Sequence, residues 1–250
     1  MAKKQRTSKR HLRRVRFIVI LSMLAVIGFL IIFGLKAPMF NVTEVEVEGN
    51  HYYSDGEIVA MADCSEEVNI FTGVNCKEIR TRLMKDPYME QVTVKRKLPS
   101  TIKIEIKERE QVAGIVYGSS YVVIDMDRIV LRKTSVDPKV TVLRGMTISK
   151  LTLGEPVEVE EEVLLRQCMD IVEAMNEHNM YFKSITIGDG FVNAYVLDGL
   201  KVEGMADNIV NALKNDEIQL VVQQLFKQKI ERGTIKVTGD NYVSFTPKID

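Results

Sequence analysis

Val92–Arg109 reads VTVKRKLPSTIKIEIKER. Val92 and Val94 alternate with Thr93 and Lys95. After a Leu98-Pro99-Ser100 turn, Ile102, Ile104 and Ile106 alternate with Lys103, Glu105 and Lys107. Alternation with a period of two puts every apolar side chain on one face of a strand. Two adjacent strands, each with one apolar and one charged face, predict a hairpin covered on one side by helices. Val42 to Glu48 alternates apolar and acidic, as a half-buried strand does, and Gly49-Asn50 closes it. Ser54 and Asp55 are N-cap residue types for a short helix from Gly56 to about Ala62. Asn75 would cap a second, Lys77 to Lys85, with Ile79, Leu83 and Met84 on one face, and Asp86-Pro87 stops it. Strand, helix, helix, strand, strand makes a small α+β domain over residues 40–109.

The residues Val45-Glu46-Val47-Glu48-Gly49-Asn50, Asn69-Ile70-Phe71 and Val94 to Arg109 together resemble a POTRA domain. The likeness is to that of the bacterial cell-division family FtsQ/DivIB. The Arg96-Lys97-Leu98-Pro99 turn, its alternating strand and the closing Glu108-Arg109 carry it in combination. Val112-Ala113, Tyr121 to Asp125 and Val130-Leu131 are similar to the start of that family's β-rich second domain, expected over residues 110–250. The family often carries glycine where this chain has Arg128, so the turn there is expected to be longer than two residues or of type I. Leu143-Arg144-Gly145 is a loose echo within a middle stretch that matches poorly. Beyond it, a helix is expected from Glu160 to about Asn176. Strands follow at Ile185–Ile187, Val192–Val196 and Leu200–Val202. A helix from about Asp207 to Lys229, with a break near Asn215-Asp216, precedes closing strands at Gly233–Val237 and Tyr242–Phe245. The fold class expected is therefore α+β: an N-terminal transmembrane helix, a β-α-α-β-β POTRA domain, and a β-rich mixed domain with two helices.

The transmembrane helix is read from Phe17 to Leu35, FIVILSMLAVIGFLIIFGL, in which Ser22 is the sole hydroxyl and no residue is charged. As a helix it spans about 28 Å, close to the roughly 30 Å hydrocarbon core of a bilayer. Lys3, Lys4, Arg6, Lys9, Arg10, Arg13, Arg14 and Arg16 precede it with no acidic residue. This asymmetry predicts a cytoplasmic tail over residues 1–16, a span over 17–36 and an extracytoplasmic remainder. The run exceeds the 7–15 apolar residues of a cleaved signal, and Gly34-Leu35-Lys36-Ala37-Pro38 is a poor cleavage site. Without the eight basic residues of the tail, the chain carries 26 Lys and Arg against 34 Asp and Glu, a net of −8. Such a surface gives no cationic face for nucleic acid.

No Gly-x-Ser-x-Gly, Walker loop or His-Glu-x-x-His occurs. Gly118-Ser119-Ser120 has no histidine near in sequence and reads as a turn. His51 in a turn and His178 at a helix end read as solvated groups. Asp125 and Asp127 read as turn residues, and Glu158 with Glu160, Glu161 and Glu162 as a solvated face or an acidic docking patch. Cys64, Cys76 and Cys168 lack metal-ligand spacing; Cys64 and Cys76 would pair only in an oxidising compartment. Catalytic, metal and cofactor sites are all expected to be absent.

Binding remains, and unpaired sheet edges are the physical means for it. The resemblance implies that the second domain's last strands and preceding helix bind FtsB/DivIC-like and FtsL-like bitopic division proteins. In this sequence that region is Tyr242, Val243, Ser244 and Phe245. Tyr242 and Phe245 lie three apart, so a regular strand points them to opposite faces. Either one is an exposed anchor, or each caps a different edge of the core. The implied function is a non-catalytic divisome scaffold in the cell membrane at the septum, recruiting or stabilising membrane division proteins and regulating septal peptidoglycan synthesis. The alternative is an anchored POTRA protein of envelope transport or secretion assembly.

Overall fold

The computed structural model describes residues 3–64, 68–188, 190–239 and 242–248. Helix α1, Lys3–Leu35, carries the apolar stretch. Its segment Arg14–Leu35 has a mean hydropathy of 3.0 and is long and apolar enough to cross a membrane. Two compact units divide the chain. One comprises Met1–Met84 and Gln91–Glu108, the other Lys85–Glu90 and Arg109–Asp250.

In the first unit, α1 is followed by a 3-10 turn at Pro38–Phe40, strand β1 (Glu44–Glu48), helix α2 (Asp55–Ala62), helix α3 (Cys76–Leu83), and strands β2 (Met89–Lys97) and β3 (Thr101–Glu108). The β-α-α-β-β order is as expected. β3 is central, flanked by β2 and paired in parallel with β1, Val45 opposite Ile102 and Val47 opposite Ile104. The parallel pairing requires the crossover that α2 and α3 supply. Ile102, Ile104 and Ile106 are buried with Val42, Ile58, Ile79, Leu83 and Val92. On the other face Glu105 pairs with Lys95 at 2.7 Å and with Lys103 at 3.2 Å. Ser54 caps α2 in a capping box with Glu57, and Asn75 caps α3 by accepting the Glu78 N–H.

The motif fragments that stand apart in sequence meet here. The Glu108 carboxylate accepts the backbone N–H of His51 at 2.6 Å and of Tyr52 at 2.5 Å, closing the loop after Gly49-Asn50. Gly49, at φ 86°, leaves no room for a Cβ, which would stand 2.1 Å from the Ile106 carbonyl oxygen. The guanidinium of Arg96 donates to the carbonyls of Ile70 and Val74 at 2.7 and 2.6 Å, fastening the loop that Asn69-Ile70-Phe71 begins.

The second unit is built on strands β4 (Ala113–Tyr117), β5 (Ser120–Ile124), β6 (Val130–Thr134), β7 (Thr141–Arg144), β10 (Ser184–Gly188), β11 (Phe191–Leu197), β12 (Leu200–Gly204), β13 (Gly233–Thr238) and β14 (Tyr242–Pro247). These form one nine-stranded sheet in the order β14-β13-β12-β11-β10-β7-β4-β5-β6. A small ribbon of β8 (Ile148–Lys150) and β9 (Glu158–Val159) stands apart from it. Helices α4 (Glu162–Glu177), α5 (Ala206–Lys214) and α6 (Glu217–Lys227) bury Leu165, Ile171, Met175, Ile209, Leu213 and Ile218 with the sheet residues Ile115, Leu143, Ile185, Val202 and Ile235. The break expected near Asn215-Asp216 separates α5 from α6, with Asp216 at φ 58°.

Four local features add to the sequence reading. The turn before β6 is longer than two residues, as expected: the Arg128 N–H donates to the Asp125 carbonyl at 3.1 Å, and Arg128 itself adopts φ 64°. Asp125 opens this turn, as read from the sequence, and is in addition buried: it receives Arg109 Nη1 at 2.6 Å and the Ile129 N–H at 2.7 Å. His178 Nδ1 stands 3.1 Å from Asp216 Oδ1, where the end of α4 meets the start of α6. The glutamates at 158, 160 and 162 are exposed, as a solvated face requires, with Glu158 near Lys150, Glu162 near Arg128 and Glu161 accepting the Thr147 N–H.

Candidate partner-binding edge

The nine-stranded sheet has two edges, and they differ. Along β6, the Val130 N–H donates to the Glu155 carbonyl, the Gly154 N–H to the Val130 carbonyl and the Val157 N–H to the Arg128 carbonyl, each at 2.9 Å. That margin is therefore partly covered by the chain at 154–157. At the other margin, β14 pairs with β13 alone among the described residues. A strand paired on one side leaves a row of backbone donors and acceptors for a further strand.

The register fixes which side chains this edge presents. Tyr242 lies opposite Thr238, Val243 opposite Val237, Ser244 opposite Lys236 and Phe245 opposite Ile235. Val243 and Phe245 pack against the core beneath the helices, with Ile235 and Val237 fully buried beside them. The Phe245 ring occupies the space that a side chain at Gly233 would need. Ser244 alternates with these onto the open face, and Tyr242 is 66% exposed. Phe245 is thus half-buried against the core, and Tyr242 is exposed.

Two further residues join Tyr242 that the sequence reading passed over. Val237 pairs with Gly204 and Gly204 with Val192, so Phe191, Met205, Thr238 and Tyr242 form the next row outward across four neighbouring chain segments. Phe191 is 52% and Met205 57% exposed. Large apolar side chains aligned at a sheet end are a candidate anchor surface, since aromatic and Met residues carry much interface energy. Their sequence signal is faint, a large apolar residue directly after glycine in Gly190-Phe191 and Gly204-Met205.

Away from this row the open face is polar. Lys201 holds Glu203 at 2.8 Å and Asn193 at 2.7 Å, and Lys201 keeps the Glu203 carboxyl below its ordinary range. Two shallow depressions of about 730 and 440 Å³ share Tyr195 and Asp198. The larger is lined by Tyr121, Tyr181 and Arg144, with Lys183 bound to Asp198 at 2.6 Å. Among the described residues no three His, Cys, Asp or Glu side chains gather as a metal site. The arrangement offers main-chain pairing and apolar anchoring, which is recognition chemistry.

Residues 40–109 match the family described as POTRA domain, FtsQ-type. The cell division protein DivIB of Clostridium acetobutylicum is 27% identical over 217 residues, 85% of each chain. DivIB of Clostridium tetani is 32% identical over 133 residues, 52% of this chain and 50% of that protein. The cell division protein FtsQ of Rickettsia bellii is 23% identical over 204 residues, 82% of this chain and 72% of its own.

Proposed function

We propose that this chain, similar to DivIB and FtsQ cell-division proteins and carrying an FtsQ-type POTRA match over residues 40–109, is a non-catalytic scaffold of the division machinery. In this reading α1 is a single-pass anchor with the basic tail in the cytoplasm. Residues 40–109 and 110–250 act outside the membrane at the septum. The chain recruits or stabilises FtsB/DivIC-like and FtsL-like bitopic proteins and, through them, regulates septal peptidoglycan synthesis. The observation that carries the reading is the open β14 edge, with exposed Tyr242 in one row with Met205 and Phe191 across the sheet end. A partner strand added at β14 would gain main-chain hydrogen bonds while an apolar side chain docks on that row. Confinement of both proteins to one membrane raises their effective concentration, so modest affinity suffices.

The test is recovery of partners from detergent-solubilised membranes with the tagged full-length chain and its Tyr242→Ala variant. Small single-pass division proteins should accompany the parent and be depleted with the variant. Recovery of envelope transport machinery instead would oppose the reading.

A further inference from the structure

The end of the anchor helix is joined to a loop of the first unit by one side chain. Asn69 Oδ1 accepts the N–H groups of Phe71 at 3.0 Å and Thr72 at 3.2 Å, and the Thr72 hydroxyl at 3.3 Å. The loop thus fixes the amide's orientation and leaves Nδ2 facing the helix, where it donates to the Leu35 carbonyl at 2.8 Å. Leu35 is the last residue of α1. The final carbonyls of a helix have no partner within it, and at a bilayer boundary an unpaired carbonyl is costly. Lys36 and Ala37 N–H groups serve the Phe33 and Gly34 carbonyls; Asn69 serves the next.

The chain does not leave this point as a free linker. The Ile70 N–H donates to the Phe40 carbonyl at 2.8 Å and the Val42 N–H to the Val68 carbonyl at 2.9 Å. The Phe40 and Phe71 rings meet edge to face, centroids 5.2 Å apart. Beside them Met39, four residues past the helix end, is 64% exposed. The head-group layer on each side of a bilayer is about 5–8 Å thick, so side chains so near the end of the span stand within it.

We propose that Met39, Phe40 and Phe71 form a lipid-contacting element at the boundary of head groups and acyl chains. Asn69 locks that element to the anchor, so the first unit is held on the bilayer surface in a set orientation. The proposal rests on the reading of α1 as a membrane anchor. Apolar side chains at this depth gain burial while the neighbouring Lys36 reaches the head groups.

The chain contains no tryptophan, so one introduced residue reports alone. Full-length Met39→Trp, Phe71→Trp and Phe29→Trp proteins are reconstituted in phosphatidylcholine–phosphatidylglycerol vesicles whose acyl chains are brominated near the head group or near the bilayer centre. Shallow bromines should quench Trp at 39 and at 71 at least twofold, with blue-shifted emission, and deep bromines should quench Trp at 29. Adding Asn69→Asp, which keeps the loop's acceptor but removes the donor to Leu35, should halve the quenching at 71. Quenching at 29 with water-like, unquenched emission at 39 and 71 would overturn the proposal and leave the anchor intact. Absence of quenching at 29 would overturn the anchor and the proposal together. Unchanged quenching in the Asn69→Asp background would refute the lock.

Discussion

Phe245 lies against Gly233. A Cβ built at Gly233 would stand 2.5 and 2.6 Å from two carbons of the Phe245 ring and 2.6 Å from the Thr246 carbonyl oxygen. The aromatic ring of the edge strand therefore closes over the glycine of its neighbour, and β14 is seated by this contact as well as by its hydrogen bonds.

Gly233→Ala should unseat β14. The new methyl meets ring and backbone at once, and φ 149° disfavours any L side chain. A loss of about 2 kcal/mol is expected, concentrated in the β13–β14 pair. Hydrogen exchange on the full-length protein should show faster exchange across residues 234–246 with the first unit unchanged.

Tyr242→Ala should spare the fold, because exposed truncations away from packed features shift stability by no more than about 0.5 kcal/mol. It should weaken partner binding at least tenfold, about 1.4 kcal/mol, in a titration of the reconstituted protein. Phe191→Ala and Met205→Ala should each produce a smaller loss in the same direction.

Arg109→Ala should cost about 3 kcal/mol in the second unit. It leaves the Asp125 carboxylate, 6% exposed, without its counter-ion. Asp125→Asn should cost less, since the amide oxygen still accepts the Ile129 N–H. Hydrogen exchange in β5 and β6 measures the difference.

Burial pushes the Cys168 thiol up to about 12 from an ordinary value of 9.0. The folded state therefore favours the neutral thiol. This contribution is complete below about pH 9 and is lost as pH rises from there toward 12. Iodoacetamide at pH 8 should alkylate the half-exposed Cys64 and Cys76 and reach Cys168 only after denaturant is added.

The first unit was legible because its signals are local: alternation at 102–106, a capping box at Ser54 and a helix stop at Asp86-Pro87. Strand β7 was not. It lies in the sheet interior, parallel to both β4 and β10. Such a strand is buried on both faces, here at Thr141, Val142 and Leu143, and so short a stretch shows no usable period. The register that aligns Phe191 and Met205 with Tyr242 depends on pairings between residues up to 33 apart, which no local pattern carries. The burial of Asp125 was hidden for a related reason. Its position in a turn is visible in sequence, but its burial depends on Arg109, 16 residues away.

The central claim is that β14 receives a division partner. Photo-crosslinking in dividing cells tests it most directly, with p-benzoylphenylalanine replacing Tyr242 or, as a comparison site in β4, Tyr117. The account predicts an adduct to a small single-pass division protein of the DivIC or FtsL kind from position 242 and none from 117. No such adduct at 242, or equal yields from both positions, would contradict it.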